Sequence, residues 1–171
     1  MYGPRMATIT NISMAGNLNC NIDLNLLTNN SLNCVYQKNC FRRVLKFNKQ
    51  LNTTVMIYSN GKLVCVGAKH VRDGVKAMKI VNKVCLRLGF KVNLSHICVT
   101  NMAATYNTGH KVNLCELSTF IGGSYEPELF PNLIFEMGDK KKINISRNGK
   151  IILTGIKTES DLNFLLIDFI F

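Results

Sequence analysis

The sequence predicts an α+β fold of two repeats, each combining antiparallel strands with helices on one side of the sheet. Three observations predict it. Similar stretches recur about 90 residues apart, each copy has an Asn-Gly turn between two β-rich runs, and one long segment has helical apolar spacing. The 171 residues are 47% hydrophobic and 18% charged, which suits a folded core and excludes a disordered chain.

The repeat rests on three stretches that keep one order and nearly one spacing, which indicates internal duplication. The pairs are "TNISMAG" (10–16) with "TNMAATY" (100–106), "NCFRRVLKF" (39–47) with "ELFPNLIFEM" (128–137), and "SNGKLVCVGAK" (59–69) with "RNGKIILTGIK" (147–157). We predict a lead-in at 1–9, a first repeat at 10–95 and a second repeat at 96–171.

Each repeat is expected to open with a strand, continue with a short helix and three β-rich runs, and close with a helix. Asn60-Gly61 and Asn148-Gly149 each join two runs and are typical of hairpin turns. The predicted elements are strand 8–17, helix 23–33, strands 41–48, 53–59 and 62–68 and helix 70–89, then strand 97–105, helix 112–120, strands 130–137, 142–147 and 150–156 and a terminal helix.

The helix at 70–89 is the clearest, and Gly89 supplies its stop. Apolar residues at helical spacing predict one side that packs on the sheet. A second stripe is basic and contains no acidic residue, so it either faces solvent or forms a docking surface. We call this stripe the basic ridge; its members are Arg72, Lys76, Lys79, Lys83 and Arg87.

The first hairpin is apolar on both faces, whereas an antiparallel sheet usually leaves one face polar. One face takes Val55, Ile57, Leu63 and Cys65, and the other takes Met56, Tyr58, Val64 and Val66. Helices on one side can cover only one of them, so the other must cover something, either a second copy or another partner. The net charge of +11 favours a partner both anionic and apolar, such as a DNA minor groove. The second hairpin is more polar on that face, with Asn144, Ser146, Ile152 and Thr154.

Other chemistry is weakly supported. The seven cysteines form no Cys-x-x-Cys, no histidine stands at zinc-finger spacing, and no nucleophile–base set is visible, so we expect no metal, no cofactor and no enzyme activity. Unpaired cysteines indicate a reducing compartment, and the start lacks the apolar stretch of a signal peptide. The apolar end is too short to span a membrane. We expect a nuclear location, or a cytoplasmic viral factory, and not secretion.

The chain resembles the TATA-box-binding protein family over residues 8–170, most strongly in "SYEPELFPNLIFEM" (124–137) and in both hairpins. The resemblance implies a TBP-like saddle of two pseudo-symmetric repeats, with a curved antiparallel sheet and helices on the convex side. It also implies a general transcription initiation factor that binds the minor groove of A·T-rich promoter DNA. This family is a standard example of binding by wedge side chains that kink the duplex.

The resemblance implies a set of DNA-binding residues. Asn11 and Asn101 match asparagines that bond to bases, and Lys62 and Lys150 match lysines near phosphate. Phe41, Tyr58 and Phe130 match three of four wedges, while the fourth position falls on Ser146. Other groove-facing positions are Met56, Val64, Val66, Ala103, Ile152 and Thr154. With one ring missing, the second half should unstack its base step less, so Ser146→Phe should increase bending and Phe41→Ala should reduce it most.

Two protein surfaces are also implied. Glu126, Glu128 and Leu129 lie in a segment like the loop that meets the B-type general transcription factor (TFIIB-like), although a solvated turn is the alternative. The basic ridge resembles the helix that receives an A-type (TFIIA-like) factor or a repressor. RNA polymerase machinery would be engaged indirectly, and no membrane contact is expected.

Two alternatives to an initiation factor stay open. One is a related scaffold with weak or no autonomous DNA binding, which the polar second half motivates; Glu136, for example, replaces an arginine of the family pattern. The other is an enzyme or ligand-binding domain on a similar fold. Abundant asparagine and lysine, with the divergence, hint at a large DNA virus or a fast-evolving eukaryote.

Overall fold

A computed structural model describes residues 7–37, 43–138 and 140–170, and the chain divides into two compact units. The first unit spans Asn11–Thr100. The second unit joins Asn101–Phe171 with Met1–Thr10. Both units combine antiparallel strands with helices.

The first unit contains five antiparallel strands and two helices, and all of them except one short strand follow the predicted order. They are β1 (Thr8–Asn17), α1 (Leu24–Asn29), β2 (Cys34–Gln37), β3 (Arg43–Asn48), β4 (Thr53–Tyr58), β5 (Lys62–Ala68) and α2 (Val71–Arg87). The strands lie in the order β2-β3-β4-β5-β1. The turn between β4 and β5 closes through Gly61 N–H, which donates to the Tyr58 carbonyl at 3.0 Å. The predicted hairpin is therefore confirmed.

The second unit repeats this arrangement without a counterpart of β2 among the described strands. Its elements are β6 (Ser95–Asn107), α3 (Leu114–Ile121), β7 (Leu133–Met137), β8 (Lys141–Ile145), β9 (Lys150–Ile156) and α4 (Glu159–Ile170). The strand order is β6-β9-β8-β7. Gly149 N–H donates to the Ser146 carbonyl at 2.9 Å, which confirms the second hairpin.

The core of each unit lies between its sheet and its closing helix. In the first unit, Val55, Ile57, Leu63 and Cys65 are at most 2% exposed, and α2 packs on β4 and β5. In the second unit, Ile143, Ile145, Ile151 and Leu153 are buried, and α4 packs on β9. Burial of each large aliphatic side chain contributes about 1.5–3 kcal/mol, so this alternation fixes which face of each hairpin turns inward.

The prediction of helix 23–33 was wrong at its C-terminal end, and strand β2 was not predicted. Asp23 caps the helix, since its Oδ1 accepts from the N–H groups of Asn25 and Leu26. The helix ends at Asn29, and Asn33 takes a left-handed φ of 56°, which breaks any continuation. The chain then pairs with β3 as a four-residue edge strand that is too short to show an alternation.

A second difference concerns the predicted strand 130–137, which begins only at Leu133. The residues before it form a turn, in which the N–H groups of Leu129 and Phe130 both donate to the Glu126 carbonyl, at 3.0 and 2.8 Å. Pro131 has no N–H to give to a ladder, so strand pairing starts after it.

Candidate nucleic-acid interface

The hairpin of the first unit carries apolar side chains on both faces, as predicted. Met56, Tyr58, Val64 and Val66 are half-buried on the face turned away from α2. Met56 and Val64 lie directly opposite each other across β4 and β5. We call this the open face of the first unit. It offers a partner an apolar surface rather than a hydrated one.

The corresponding open face of the second unit is more polar. Asn144 and Ile152 form the cross-strand pair that corresponds to Met56 and Val64. Ser146 and Thr154 lie on the same face and are likewise half-buried. The contrast predicted between the two hairpins is therefore present in the structure.

Each open face contains an asparagine fixed by a glycine. The Asn11 Oδ1 atom accepts a hydrogen bond from Gly67 N–H at 2.7 Å, and Asn101 Oδ1 accepts one from Gly155 N–H at 2.8 Å. Because only the amide oxygen can accept, these bonds settle the orientation of both amides. The two NH₂ groups are left as donors, and the internal contact of Asn11 Nδ2 with Ser13 Oγ is long, at 3.5 Å.

Backbone geometry brings each glycine to its asparagine. The β1–β5 pairing shifts register between Ile12 and Met14, and the β6–β9 pairing shifts between Met102 and Ala104. Gly67 and Gly155 have φ values of 92° and 80°, which side-chain-bearing residues rarely adopt. Ala103 is half-buried at the second irregularity. The irregular register is thus what aims one N–H of each unit at an asparagine.

The two hairpin tips place Tyr58 and Ser146 at the same position. Each residue's carbonyl accepts from the turn glycine, and the following lysine N–H, of Lys62 or Lys150, donates to the turn asparagine side chain at 3.1 Å. The register chosen for Ser146 in the sequence is therefore supported by the turn geometry. No aromatic ring stands at this position in the second unit.

The two tip residues differ in what they bond to. Tyr58 OH lies 3.4 Å from Arg43 Nη1, and Arg43 Nε donates to Gln37 Oε1 at 3.0 Å. Ser146 Oγ instead bonds inside its own turn, to the Lys150 carbonyl at 2.9 Å and to Asn148 Oδ1. The serine acts as a turn brace, whereas the tyrosine ring stands on the open face.

Charges on and beside the open faces are mostly basic, with one exception. Lys62 and Lys150 are exposed at the starts of β5 and β9. Glu136 and Lys142 face each other across β7 and β8 and form an exposed ion pair at 2.5 Å. The carboxylate therefore neutralises a lysine on the second open face.

The wedge residues are only partly described. Phe130 follows the Glu126 turn and is 40% exposed. Phe41 lies outside the described residues. The predicted wedges whose placement the structure gives are thus Tyr58 in the first unit and Phe130 in the second.

The segment with the proposed partner residues is acidic and apolar. Leu129 is 81% exposed, and Glu126 and Glu128 are exposed in the same turn. Residues 112–139 contain no lysine or arginine, although half of the chain's ten acidic residues lie there. This segregation of charge distinguishes the loop from the rest of a chain with net charge +11.

The basic ridge is exposed along α2, as predicted: Arg72, Lys76, Lys79, Lys83 and Arg87 all face solvent. The absence of an acidic residue from the stripe suggested five unpaired cations, and this needs correction at one of them. Arg72 Nε lies 4.0 Å from Asp73 Oδ1. Among the described residues, no ion pair joins the other four cations to a carboxylate. The ridge therefore keeps most of its charge available.

Two of the cysteines that the structure describes lie in the core. Cys65 and Cys85 are fully buried, and burial raises the pKa of each thiol to about 11. Both are packing residues.

Within residues 7–37, 43–138 and 140–170, no cluster of three potential metal ligands occurs. No helix of this described part is both long and apolar enough to cross a bilayer.

Sequence reasoning missed Gly67 and Gly155 as site residues. Their signal is the closing Gly-x-Lys that both hairpins share. A glycine kept at the same place in two diverged copies suggests a special backbone conformation. The sequence places Asn144 on the open face but indicates no role for its amide.

Comparisons with known proteins agree with this geometry. The sequence profile of the family "Transcription factor TFIID (or TATA-binding protein, TBP)" matches residues 6–88 and 96–169. TATA box-binding protein-like 2 of Rattus norvegicus is 33% identical over 157 residues, covering 90% of this chain and 46% of that protein. For the TATA-box-binding protein of Spodoptera frugiperda, the identity is 32%, covering 90% of this chain and 51% of that protein. The chain spans about half the length of these curated relatives.

A solved structure, Methanococcus jannaschii TBP, superposes with a TM-score of 0.84 and 30% sequence identity, covering 95% of this chain and 94% of that one. This match confirms the α+β fold predicted from the repeats and hairpins, and it confirms the TBP-like fold that the family resemblance implied.

Proposed function

The chain belongs to the TATA-binding protein family, and we propose that it is a general transcription initiation factor that binds A·T-rich, TATA-like promoter DNA in the minor groove. One observation carries the proposal. Asn11 and Asn101 each commit the amide oxygen to a glycine N–H and present the NH₂ group on an open face. The proposal is a binding role without catalysis.

The chemistry of the minor groove suits these donors. A·T pairs present only acceptors there, adenine N3 and thymine O2, whereas a G·C pair adds the guanine amino group, which is a donor. Two fixed NH₂ donors therefore favour A·T pairs and oppose guanine. Apolar side chains such as Val64 and Ile152 suit the sugar walls, and Lys62 and Lys150 add phosphate contacts that strengthen binding at low salt.

Bending would follow from the rings. Phe41 and Tyr58 in the first repeat, and Phe130 in the second, are proposed to wedge between base steps and to kink the duplex. Ser146 has no ring, so the second repeat should unstack its step less. The unstacking cost, a few kcal/mol per step, is offset by the surface that a bent duplex covers.

The partner surfaces complete the proposal. We assign the exposed acidic loop of Glu126, Glu128 and Leu129 to a B-type general transcription factor, since its charge and exposed leucine fit a basic, partly apolar partner. The basic ridge is assigned to an A-type factor or an acidic repressor. RNA polymerase would be engaged through these factors, in the nucleus or in a viral factory.

A second candidate function is a scaffold of the same family that is recruited by partners and binds DNA weakly. The polar open face of the second unit and the Glu136–Lys142 pair favour it, because both reduce what that face offers to a groove. Phosphate neutralisation dominates affinity for DNA, so the loss of one cation matters.

Fluorescence anisotropy with a labelled TATA duplex and a G·C-rich duplex tests both candidates, with donor–acceptor dyes at the duplex ends to report bending. The initiation factor should bind the TATA duplex more tightly, lose affinity as salt rises, and shorten the dye distance. Equal binding of both duplexes without bending refutes it. Tight binding of a B-type factor together with negligible DNA binding would establish the scaffold instead.

A further inference from the structure

We propose that Asn144 and Ser146 accept a hydrogen bond from the 2-amino group of guanine, so that the half of the DNA site beneath the second unit takes a G·C pair. This inference rests on the proposed minor-groove function and deepens it. It concerns two residues that lie two positions apart on β8 and its turn and hence on one face.

Ser146 can only accept from outside the protein. Its Oγ lies within hydrogen-bond distance of two internal groups, the Lys150 carbonyl and Asn148 Oδ1, and both are acceptors. Asn148 Oδ1 also accepts from Lys150 N–H, which confirms its role as an oxygen. A serine hydroxyl has one hydrogen, and here it is spent within the turn. The lone pairs of the Ser146 oxygen remain available to accept a hydrogen bond from outside the protein.

Asn144 adds a second acceptor. Its Oδ1 is buried and has no hydrogen-bond partner among the described residues. This separates it from Asn101 of the same unit, whose Oδ1 is held by Gly155. Rotation about the terminal torsion of Asn144 breaks no internal bond to that oxygen, and asparagine samples this torsion broadly. Once turned outward, the oxygen can accept from an outside donor, while the NH₂ group takes its buried position.

These acceptors have the wrong sign for an A·T pair. Adenine N3 and thymine O2 are themselves acceptors, and guanine N2 is the donor that base edges place in the minor groove. In the first unit, the same two positions carry Met56 and Tyr58, so that half has no such acceptor pair. The two open faces therefore differ in base preference: A·T under the first, with one G·C position under the second.

Inosine isolates the interaction, since an I·C pair matches G·C except that it lacks the 2-amino group. A single pair in an otherwise A·T duplex is made A·T, G·C or I·C at each position in turn, and anisotropy measures binding of the unmodified chain. At one position, G·C should bind about five- to tenfold more tightly than I·C, as expected for one hydrogen bond. I·C binding as well as or better than G·C at every position would overturn the inference.

Variants assign the effect to these residues. Asn144→Leu and Ser146→Ala should each bring the G·C-to-I·C ratio close to one, and their combination should favour I·C. Asn163→Leu, the same change at an exposed position of α4, is the matched control and should leave the ratio unaltered. Melting curves check folding, and an unaltered ratio in the double variant also refutes the assignment.

The same duplexes distinguish failure of this inference from failure of the proposed function. If the all-A·T duplex binds more tightly than a G·C-rich one but no position prefers G·C over I·C, the proposed function stands and this inference fails. If A·T and G·C-rich duplexes bind alike, or neither binds, both fail.

Discussion

Asn101 accepts a hydrogen bond from the N–H of Gly155 at 2.8 Å, and this contact separates two roles within one side chain. The oxygen supports the fold, while the NH₂ group is left as a donor. Substitutions can remove one role and keep the other.

Asn101→Asp should keep the fold and lose DNA binding. A carboxylate oxygen still accepts from Gly155, but the donor is gone and a negative charge faces the groove acceptors. Affinity for a TATA duplex should fall about 10- to 100-fold. Asn101→Ala should in addition reduce the free energy of unfolding by about 1–2 kcal/mol, because the Gly155 N–H loses its acceptor. Titration and thermal melting of both variants check this, and equal melting losses would contradict the division of roles.

Ser146→Phe should increase DNA bending. The change gives the second hairpin the ring that Tyr58 gives the first, and a wedge adds a kink of about 20° or more. Ser146→Ala is the control, since it removes the same turn bonds without supplying a ring. Dye-to-dye distances on a TATA duplex report the bend. Equal angles for the wild type and Ser146→Phe would count against an empty wedge position.

Glu136→Gln should strengthen DNA binding at low salt. The substitution releases Lys142 from its exposed ion pair, which itself contributes little to stability, and frees one cation for phosphate. The plot of log affinity against log salt should steepen by about 0.9. Glu159→Gln makes the same charge change at an exposed residue in the first turn of α4 and is the control. An identical slope in the two variants would place Lys142 away from the DNA.

Gly155→Ala should destabilise the chain more than Gly122→Ala. Both glycines have positive φ, 80° and 71°, so both substitutions introduce backbone strain of about 1–3 kcal/mol. At Gly155 the new Cβ would also overlap the Lys140 carbonyl, whereas at Gly122 nothing lies within 4 Å. Denaturant unfolding should show the larger loss for Gly155→Ala. Equal losses would mean that the Lys140 turn moves aside freely.

Alkylation should distinguish buried from exposed thiols. Raising the pKa of Cys65 from 9.0 to about 11 lowers its thiolate fraction near pH 8 about 100-fold, in addition to blocking access. Iodoacetamide on the native chain should therefore label the exposed Cys98 and Cys115 and spare Cys65 and Cys85. Labelling of the buried pair should rise only as the pH approaches 11 or the chain unfolds. Peptide mass spectrometry identifies the sites, and early labelling of Cys65 would contradict its burial.

The hairpins could be predicted from sequence because their signals are local. Asn60-Gly61 and Asn148-Gly149 favour tight turns. The alternation of side chains along the flanking strands predicts which of them turn inward. The basic ridge was equally readable, because helical spacing follows from the chain itself. For this ridge, the Arg72–Asp73 contact could not be predicted, because two adjacent residues on a helix do not usually face each other.

Features that depend on pairing at a distance could not be predicted. Strand β2 exists because β3 lies beside it, and four residues carry too little pattern of their own. The bonds from Gly67 to Asn11 and from Gly155 to Asn101 span more than fifty residues and depend on an irregular register in β1 and β6. The hydroxyl hydrogen of Ser146 is used in a bond inside the turn. This bond likewise depends on the folded hairpin, so the sequence alone does not show it.

A protein whose two open faces were identical would bind a run of A·T pairs with equal affinity in both orientations. Tyr58 and Ser146 occupy the same hairpin position with opposite character, one a ring and the other a braced hydroxyl. If the chain binds DNA as proposed, the two ends of a bound duplex would therefore meet different surfaces before any other factor arrives. Ser146, which lacks the ring, would then determine the orientation in which the chain binds a promoter.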